Sequence, residues 1–251
     1  MAQNPKSSIL VPLYIYPDHG KWDPLYEAIV ANQDVNFTII INPNSGPGSA
    51  PWWPNDDYVR EIPRLNEHSN VRIVGYVRTA YCQRPIQEVY RDITKYAEWS
   101  RDHVASRLSV KGIFFDETTN VFSEEVREYL DAISQYVKQS EGILGDRTVI
   151  HNPGTAVDAR LANPGPDVTA VVEVAHSTYQ TPEYQQWLST SSYDRSRTCY
   201  IIHSVQAEDV KRLAYGLRER AAYLFVTDLS ENYYQSFGSS WKHFVEAIKM
   251  D

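Results

Sequence analysis

Eight short apolar runs, rich in β-branched residues, alternate with longer segments of helical period along the whole chain. Apolar runs of this length are typical of strands in a parallel sheet, and the segments between them are long enough for crossover helices. Strands are predicted over Ile9–Tyr16, Phe37–Asn42, Val71–Val77, Gly112–Asp116, Thr148–Asn152, Val168–Val174, Cys199–His203 and Tyr223–Thr227. Helices are predicted over Pro24–Asn32, Asp56–Glu67, Ile86–Arg107, Ser123–Gln139, Pro182–Ser189, Ala207–Arg220 and Gly238–Lys249.

Eight β-then-α units within 251 residues predict an α/β fold, a (β/α)8 TIM barrel, with residues 1–251 as one domain. The alternative is a doubly wound open sheet. Such a sheet often carries a glycine-rich phosphate turn after its first strand, whereas residues 16–20 read YPDHG. The segment 153–167 holds too many Pro and Gly residues for a good helix, so only a short or degenerate one is expected there.

Charge and composition limit the classes of partner that the chain can bind. Its net charge is −8 without a cluster of Lys or Arg, which argues against a nucleic acid or an anionic membrane. No apolar run is long enough to span a bilayer, so no membrane contact is expected. Eighteen Tyr and six Trp are many for this length, and their flat, amphipathic faces suit sugars as well as protein cores. A monomer is expected.

Two predicted strands end in carboxylates. Residues 112–117 read GIFFDE, which places Asp116 and Glu117 at the end of the fourth strand, and Glu173 ends the run VTAVV on the sixth. Active sites of parallel barrels lie at the carboxyl ends of their strands. Burying such acids costs several kcal/mol unless they are paired or used, so the pattern predicts acid/base or glycosidic chemistry. In the other interpretation, these acids cap the next helix or pair with arginines.

The remaining polar residues at the strand ends are candidate substrate contacts. They are Tyr14, Tyr16, Asp18, Asn42, Asn44, Tyr76, Arg78, His151, Asn152 and His203. Trp52 and Trp53 stand in a loop rich in Pro and Gly after the second strand, and we expect them to project over the barrel mouth. Carboxylates within aromatic walls favour glycoside hydrolysis.

The residues that other types of reaction need are missing from the strand ends. No lysine lies at the carboxyl end of a strand, so a Schiff-base aldolase has no nucleophile. The loops after the seventh and eighth strands contain no glycine, which argues against a phosphate cradle. His151 and His203 lie on different strands, so no catalytic metal is predicted, and no cofactor is expected.

Several motifs, in this order, resemble the spherulin-4 family over Ile9–Lys249. They are VPLYIYP at 11–17, INPNSGPG at 41–48, VGYV at 74–77, FDE at 115–117, HNPG at 151–154 and the strand ending in Glu173. The resemblance implies glycoside hydrolase family 135, fungal (β/α)8 enzymes similar to endo-α-1,4-N-acetylgalactosaminidases. Their polysaccharide substrate is galactosaminogalactan, a secreted polymer of galactose and N-acetylgalactosamine, and their acidic trio corresponds to Asp116, Glu117 and Glu173.

The resemblance also implies a secreted or cell-surface protein. Residues 1–6, MAQNPK, lack the apolar core of a signal peptide. We therefore expect either a cytosolic protein or a leader that precedes this stretch.

A retaining, two-step mechanism is predicted. The acetamido group of an α-linked N-acetylgalactosamine is cis to the leaving group and cannot attack from the back, so an enzyme nucleophile is needed. Asp116 is the predicted nucleophile, ionised with support from Arg78 or an amide. Glu173 is the predicted acid because desolvation raises the pKa of a carboxylic acid, although the reverse assignment stays open. Glu117 would tune Asp116 or hold a sugar hydroxyl, or else pair with a base on a neighbouring strand.

Retention predicts carboxyl groups about 5–6 Å apart, with Asn152 beneath both. Two other classes of protein stay open. A non-catalytic glycan-binding barrel would use the same aromatic cleft, and its binding would survive loss of Asp116 or Glu173. A metal-assisted hydrolase would be sensitive to chelators.

Overall fold

Eight parallel strands close into a barrel in the computed structural model, which describes residues 6–49, 54–102 and 107–249. The strands are β1 Ser8–Leu13, β2 Phe37–Ile41, β3 Val71–Arg78, β4 Gly112–Asp116, β5 Thr148–Asn152, β6 Val168–Ala175, β7 Thr198–His203 and β8 Tyr223–Val226. The helices are α1 Asp23–Ala31, α2 Asp56–Asn66, α3 Ile86–Asp102, α4 Glu124–Gln139, α5 His176–Tyr179, α6 Pro182–Leu188, α7 Val210–Leu217 and α8 Trp241–Lys249. The prediction of a (β/α)8 TIM barrel is confirmed.

Strand order equals chain order, because each strand pairs with the next one and β8 closes on β1. The register places Asp116 of β4 level with Arg78 of β3 and with Asn152 of β5. Polar residues from three consecutive strands therefore meet at one end of the barrel. Below this level the strands are buried on both faces, as the near-continuous apolar runs predict.

Side-chain caps mark several helix starts. Ser123 Oγ accepts a hydrogen bond from Val126 N–H at the start of α4, where the sequence predicts it. Thr181 Oγ1 caps α6 in the same way, directly before Pro182. In the segment 153–167, the Pro- and Gly-rich sequence forms only the 3-10 helix Ala159–Leu161.

The first strand ends earlier than predicted. Tyr14 N–H donates to Pro12 C=O across 3.0 Å, which turns the chain out of the sheet directly after Leu13. Tyr14 and Tyr16 therefore lie in the loop that follows β1. None of the helices in the described ranges is long and apolar enough to cross a membrane.

Gly75 on β3 allows α3 to approach the barrel closely. A Cβ atom at Gly75 would lie 2.6 Å from the ring of Tyr96, which is fully buried. The ring cannot retreat freely, because the Tyr96 hydroxyl donates to Ile41 C=O and Tyr76 C=O at 3.2 and 3.0 Å. This bond pair ties α3 to the ends of β2 and β3, below the polar rim.

We expect Gly75→Ala to lower the free energy of unfolding by about 1–3 kcal/mol, because the added methyl overpacks this contact. Gly216→Ala is the matched control, since a Cβ at Gly216 in α7 has no atom within 4 Å. This variant should be neutral or stabilising by up to about 1 kcal/mol. Urea unfolding followed by circular dichroism measures both. Equal effects at the two glycines would contradict the role assigned to Tyr96.

Candidate active site

One amide group joins the two predicted catalytic carboxylates. Asn152 Nδ2 donates to Asp116 Oδ1 at 2.8 Å and to Glu173 Oε2 at 2.6 Å. Its Oδ1 accepts the N–H of Gly154 at 3.1 Å, so donors and acceptor of this buried amide are all used. Asn152 lies at the end of β5, between the strands that carry the two acids.

The shared donor limits the separation of the acids. Because one nitrogen lies 2.8 Å from Asp116 Oδ1 and 2.6 Å from Glu173 Oε2, these oxygens are at most about 5.4 Å apart. Retaining glycosidases hold their carboxyl groups about 5–5.5 Å apart, whereas inverting ones need about 6.5–9.5 Å for a water molecule. This upper bound holds for the two oxygens that share the amide and is compatible with the retaining spacing, and Asn152 lies between the acids.

The Asp116 carboxylate accepts hydrogen bonds from neutral donors on both oxygens. Tyr76 OH donates to Oδ2 at 2.8 Å, and Asn152 donates to Oδ1. Donors aimed at a carboxylate stabilise its ionised form. The sequence predicts that Arg78 or an amide bonds Asp116. The amide of Asn152 does so, whereas Arg78 donates its hydrogen bond to Glu117.

Burial has the larger effect on the Glu173 carboxyl. Burial, together with the nearby charge of Asp116, raises the pKa of Glu173 above its ordinary value. Tyr233 OH donates to Glu173 Oε1, and this bond and that of Asn152 act in the opposite direction on the pKa. Gly154 packs against Glu173, since a Cβ there would lie 3.5 Å from Glu173 Cβ, and its C=O accepts the Glu173 N–H.

Glu117 pairs with a base on the neighbouring strand, as one of its predicted roles requires, and also lines the cleft. Arg78 Nε on that strand donates to Glu117 Oε2 at 2.8 Å. Its backbone has a φ of 54°, a strained conformation for a residue with a side chain. The buried Thr79 side chain and Tyr81 N–H both donate to Glu117 C=O, at 2.8 and 2.6 Å, and hold this conformation.

Tyrosines form much of the remaining wall. The ring of Tyr14 contacts Tyr76 edge-on at 5.6 Å between centroids and Tyr234 at 5.0 Å. Tyr233 contacts Tyr234 at 5.2 Å. Burial raises the pKa of Tyr14, Tyr76 and Tyr233, so these hydroxyls stay protonated and act as donors.

Together these groups enclose a cleft of about 350 Å³ at the carboxyl end of the barrel. This volume is at the small end of the range for ligand pockets. The cleft is lined by Pro12, Tyr14, Asn42, Ser45, Tyr76, Phe114, Asp116, Glu117, Asn152, Glu173, Ile201, Tyr233 and Tyr234. Of the predicted site residues, it brings together Tyr14, Asn42, Tyr76, Asp116, Glu117, Asn152 and Glu173, with Arg78 paired to Glu117.

Three predicted contacts in the loops after β1 and β2 lie outside this cleft. Tyr16 OH donates to Asp57 Oδ2 at 2.6 Å, at the start of α2. Asp18 lies in an exposed turn and Asn44 bonds Ser49 in the loop after β2. The early end of β1 directs the chain away from the barrel axis, so Tyr16 and Asp18 do not line the cleft. Trp52 and Trp53 lie outside the described residues.

The prediction that His151 contacts substrate is not met. Successive side chains of a strand point to opposite faces, so His151 must face the helices once Asn152 faces the barrel interior. Its Nε2 lies 3.2 Å from Ser134 Oγ on α4, and its ring packs edge-on against Phe115. Burial lowers the pKa of His151 to about 3, so the ring is neutral.

His203 supports the site from behind. Its ring stacks on Tyr233 with centroids 4.7 Å apart and planes at 6°, and its Nδ1 lies 2.9 Å from Ser204 Oγ. Burial lowers the pKa of His203, which favours the neutral ring. His203 therefore fixes the tyrosine that bonds Glu173 and is absent from the cleft lining.

Sequence reasoning missed Tyr233 and Tyr234. They follow β8 at some distance, in a loop that folds back over the barrel mouth. Two adjacent tyrosines after the eighth strand are the signal for this site, although strand-end positions alone do not include them. Among the described residues, no three His, Cys, Asp or Glu side chains are grouped to hold a metal ion.

The fold and cleft define a (β/α)8-barrel protein with a paired-carboxylate site. The family model of spherulation-specific family 4 matches residues 8–248, and the chain belongs to that family. Spherulin-4 of Physarum polycephalum is 36% identical over 150 residues, which are 60% of this chain and 40% of that protein. The chain thus spans less than half the length of that curated relative.

Solved structures extend the comparison. Sph3 of Aspergillus clavatus, solved in complex with GalNAc, is 40% identical with a TM-score of 0.92, covering 98% of each chain. Cel5A of Thermotoga maritima, solved with cellobiose in mutant form, is 10% identical with a TM-score of 0.52, covering 97% of this chain and 96% of its own. The latter likeness concerns the fold alone.

We expect Glu173→Gln to melt at a higher temperature than the parent at pH 7. Because folding raises the pKa of Glu173, its ionised form costs stability above that pKa, and the amide removes this cost. Below the ordinary pKa of a glutamate, about 4.3, the carboxyl is protonated in both states and the advantage should vanish. Calorimetry at pH 7 and at a pH below that value measures the difference in melting temperature between variant and parent, with the exposed Glu183→Gln as control. A gain independent of pH would contradict the electrostatic cause.

Proposed function

We propose that this protein is a glycoside hydrolase of family 135 that cleaves α-1,4-linked N-acetylgalactosamine within galactosaminogalactan. The observation that carries the proposal is the single Asn152 amide bonded to both Asp116 and Glu173. The likeness to Sph3, solved with GalNAc, supports the choice of sugar. Because this substrate is a polymer outside the cell, the protein would act in secreted or cell-surface form, as a monomer.

Retention of configuration is the mechanism that the spacing favours. In the first step, Asp116 attacks the anomeric carbon, and the bond to the leaving sugar breaks as Glu173 protonates its oxygen. In the second step, the ionised Glu173 takes a proton from water, whose oxygen attacks the same carbon and releases Asp116. The bound of about 5.4 Å between the two oxygens that share the Asn152 amide supports the retaining arrangement.

The two environments support the division of roles. Asp116 accepts hydrogen bonds on both oxygens, and its short side chain is held at the end of β4, where a nucleophile would be oriented. Burial raises the pKa of Glu173, as a proton donor at neutral pH requires. Glu117, oriented by Arg78, is placed to accept a hydrogen bond from a sugar hydroxyl.

We expect Asp116→Asn and Glu173→Gln each to abolish hydrolysis of galactosaminogalactan, measured as released oligosaccharides by mass spectrometry. Each change removes a reacting group and keeps the side-chain shape. Glu183→Gln on α6 is the control and should retain full activity. A variant that keeps more than about a tenth of the parent kcat would remove its residue from the chemistry, since that loss is only ~1.4 kcal/mol. Chain binding without turnover by the parent would favour a glycan-binding barrel.

Azide separates the two roles in the alanine variants, with an activated aryl glycoside of an α-1,4-linked oligomer as substrate. In Asp116→Ala, azide attacks once from the vacated face and should give the β-glycosyl azide. In Glu173→Ala, azide displaces Asp116 from the covalent intermediate and should give the α-glycosyl azide. Nuclear magnetic resonance of the products distinguishes them. The opposite pattern would exchange the assignments of nucleophile and acid.

We expect Tyr233→Phe to move the alkaline limb of the kcat/KM profile to higher pH. The Tyr233 hydrogen bond lowers the pKa of Glu173, so its loss raises that pKa and keeps the acid protonated further into alkaline solution. Tyr234→Phe is the control, because it removes a neighbouring hydroxyl of the same cleft but no donor to Glu173. A limb that moves to lower pH, or that moves equally in both variants, would contradict Glu173 as the acid.

A further inference from the structure

Trp187 is an exposed aromatic side chain whose position is fixed. It lies on α6 with 46% of its surface accessible, which is unusual for so large an apolar residue. Its indole N–H donates to Thr155 Oγ1 at 2.6 Å, in the loop that follows β5. A hydrogen bond at the indole edge restrains the ring without covering its faces.

The loop after β5, which accepts the hydrogen bond from Trp187, also accepts one from the backbone of Glu173. Thr155 follows Gly154, whose C=O accepts the N–H of Glu173 at 3.0 Å. Gly154 N–H in turn donates to the side chain of Asn152, the amide shared by the two carboxylates. Trp187 is thus connected through Thr155 and Gly154 to Glu173, and it is not itself among the residues that line the cleft.

If the substrate is a polymer, the chain must also contact the protein surface beside the cleft. Its volume of about 350 Å³ is close to the lower limit for ligand pockets, so most of an extended chain must lie beyond it. In a galacto-configured pyranose, the axial hydroxyl at C4 leaves the C–H groups of C3, C4 and C5 together on the opposite face. Such an apolar face packs on an exposed indole ring.

We propose that Trp187 is the platform for a sugar residue on the leaving-group side of the scissile bond. This inference rests on the proposed function, in which Glu173 protonates the leaving oxygen, so that the departing chain lies on the side of Glu173. Thr155 acts as a positioning residue that sets the orientation of the indole ring. The ligand class is an α-linked chain of galacto-configured residues.

Binding to an inactive background tests the platform directly. In Asp116→Asn protein, we expect Trp187→Ala to weaken calorimetric binding of long α-1,4-linked N-acetylgalactosamine oligomers about three- to tenfold. Trp187→Tyr keeps a flat ring and should recover most of the affinity. Thr155→Val, which removes the acceptor at nearly constant shape, should give a smaller loss. Leu144→Ala is the control, since Leu144 is exposed in the α4–β5 loop at the opposite end of the barrel.

Hydrolysis by the otherwise parental enzyme gives a second readout. We expect Trp187→Ala to raise KM for the polymer more than it lowers kcat and to change the sizes of the released oligosaccharides. Unchanged oligomer affinity and an unchanged product pattern in Trp187→Ala, with an active parent, would overturn the platform alone. A parent that neither binds nor cuts these chains would overturn the proposed function and the platform together.

Discussion

The site depends on one buried amide that bonds two like-charged groups. Two carboxylates within about 5.4 Å of each other in a partly buried cleft repel, unless donors stabilise them. Asn152 donates one N–H to each carboxylate. The remaining oxygens accept hydrogen bonds from Tyr76, at Asp116, and from Tyr233, at Glu173. This arrangement requires an amide between the acids, and β5 lies between β4 and β6 in the closed barrel.

Unequal surroundings then separate the two acids chemically. Each acid accepts hydrogen bonds from two polar donors, but at Glu173 burial outweighs them and raises its pKa. Environments that separate the pKa values of two carboxyl groups underlie acid and base roles in many hydrolases. Support for each acid comes from outside its own strand: Gly154 packs on Glu173, and Thr79 bonds the backbone carbonyls of Asp116 and Glu117.

Much of this site could be predicted from the residues at strand ends. Where the prediction is wrong, the cause is specific. The acids and Asn152 were found because the carboxyl ends of parallel strands meet at one rim. The prediction for His151 is wrong because side chains alternate along β5, so His151 and Asn152 face opposite sides of the sheet. Tyr16 was misplaced because the turn at Pro12–Tyr14 ends β1 early. The two adjacent tyrosines after β8 are visible in the sequence, but only the fold of that loop brings Tyr233 to Glu173.

The sequence by itself determined the number and order of the strands and most of the helices, because apolar period and helix caps act over a few residues; the short α5 that follows β6 was not predicted. It also determined that acids stand at the ends of β4 and β6. Only the tertiary structure decided which of those residues meet, since closure of the barrel sets the register between strands and loops from distant parts of the chain cover its mouth. The pKa of Glu173 belongs to this second group, because burial and a neighbouring charge exist only after folding.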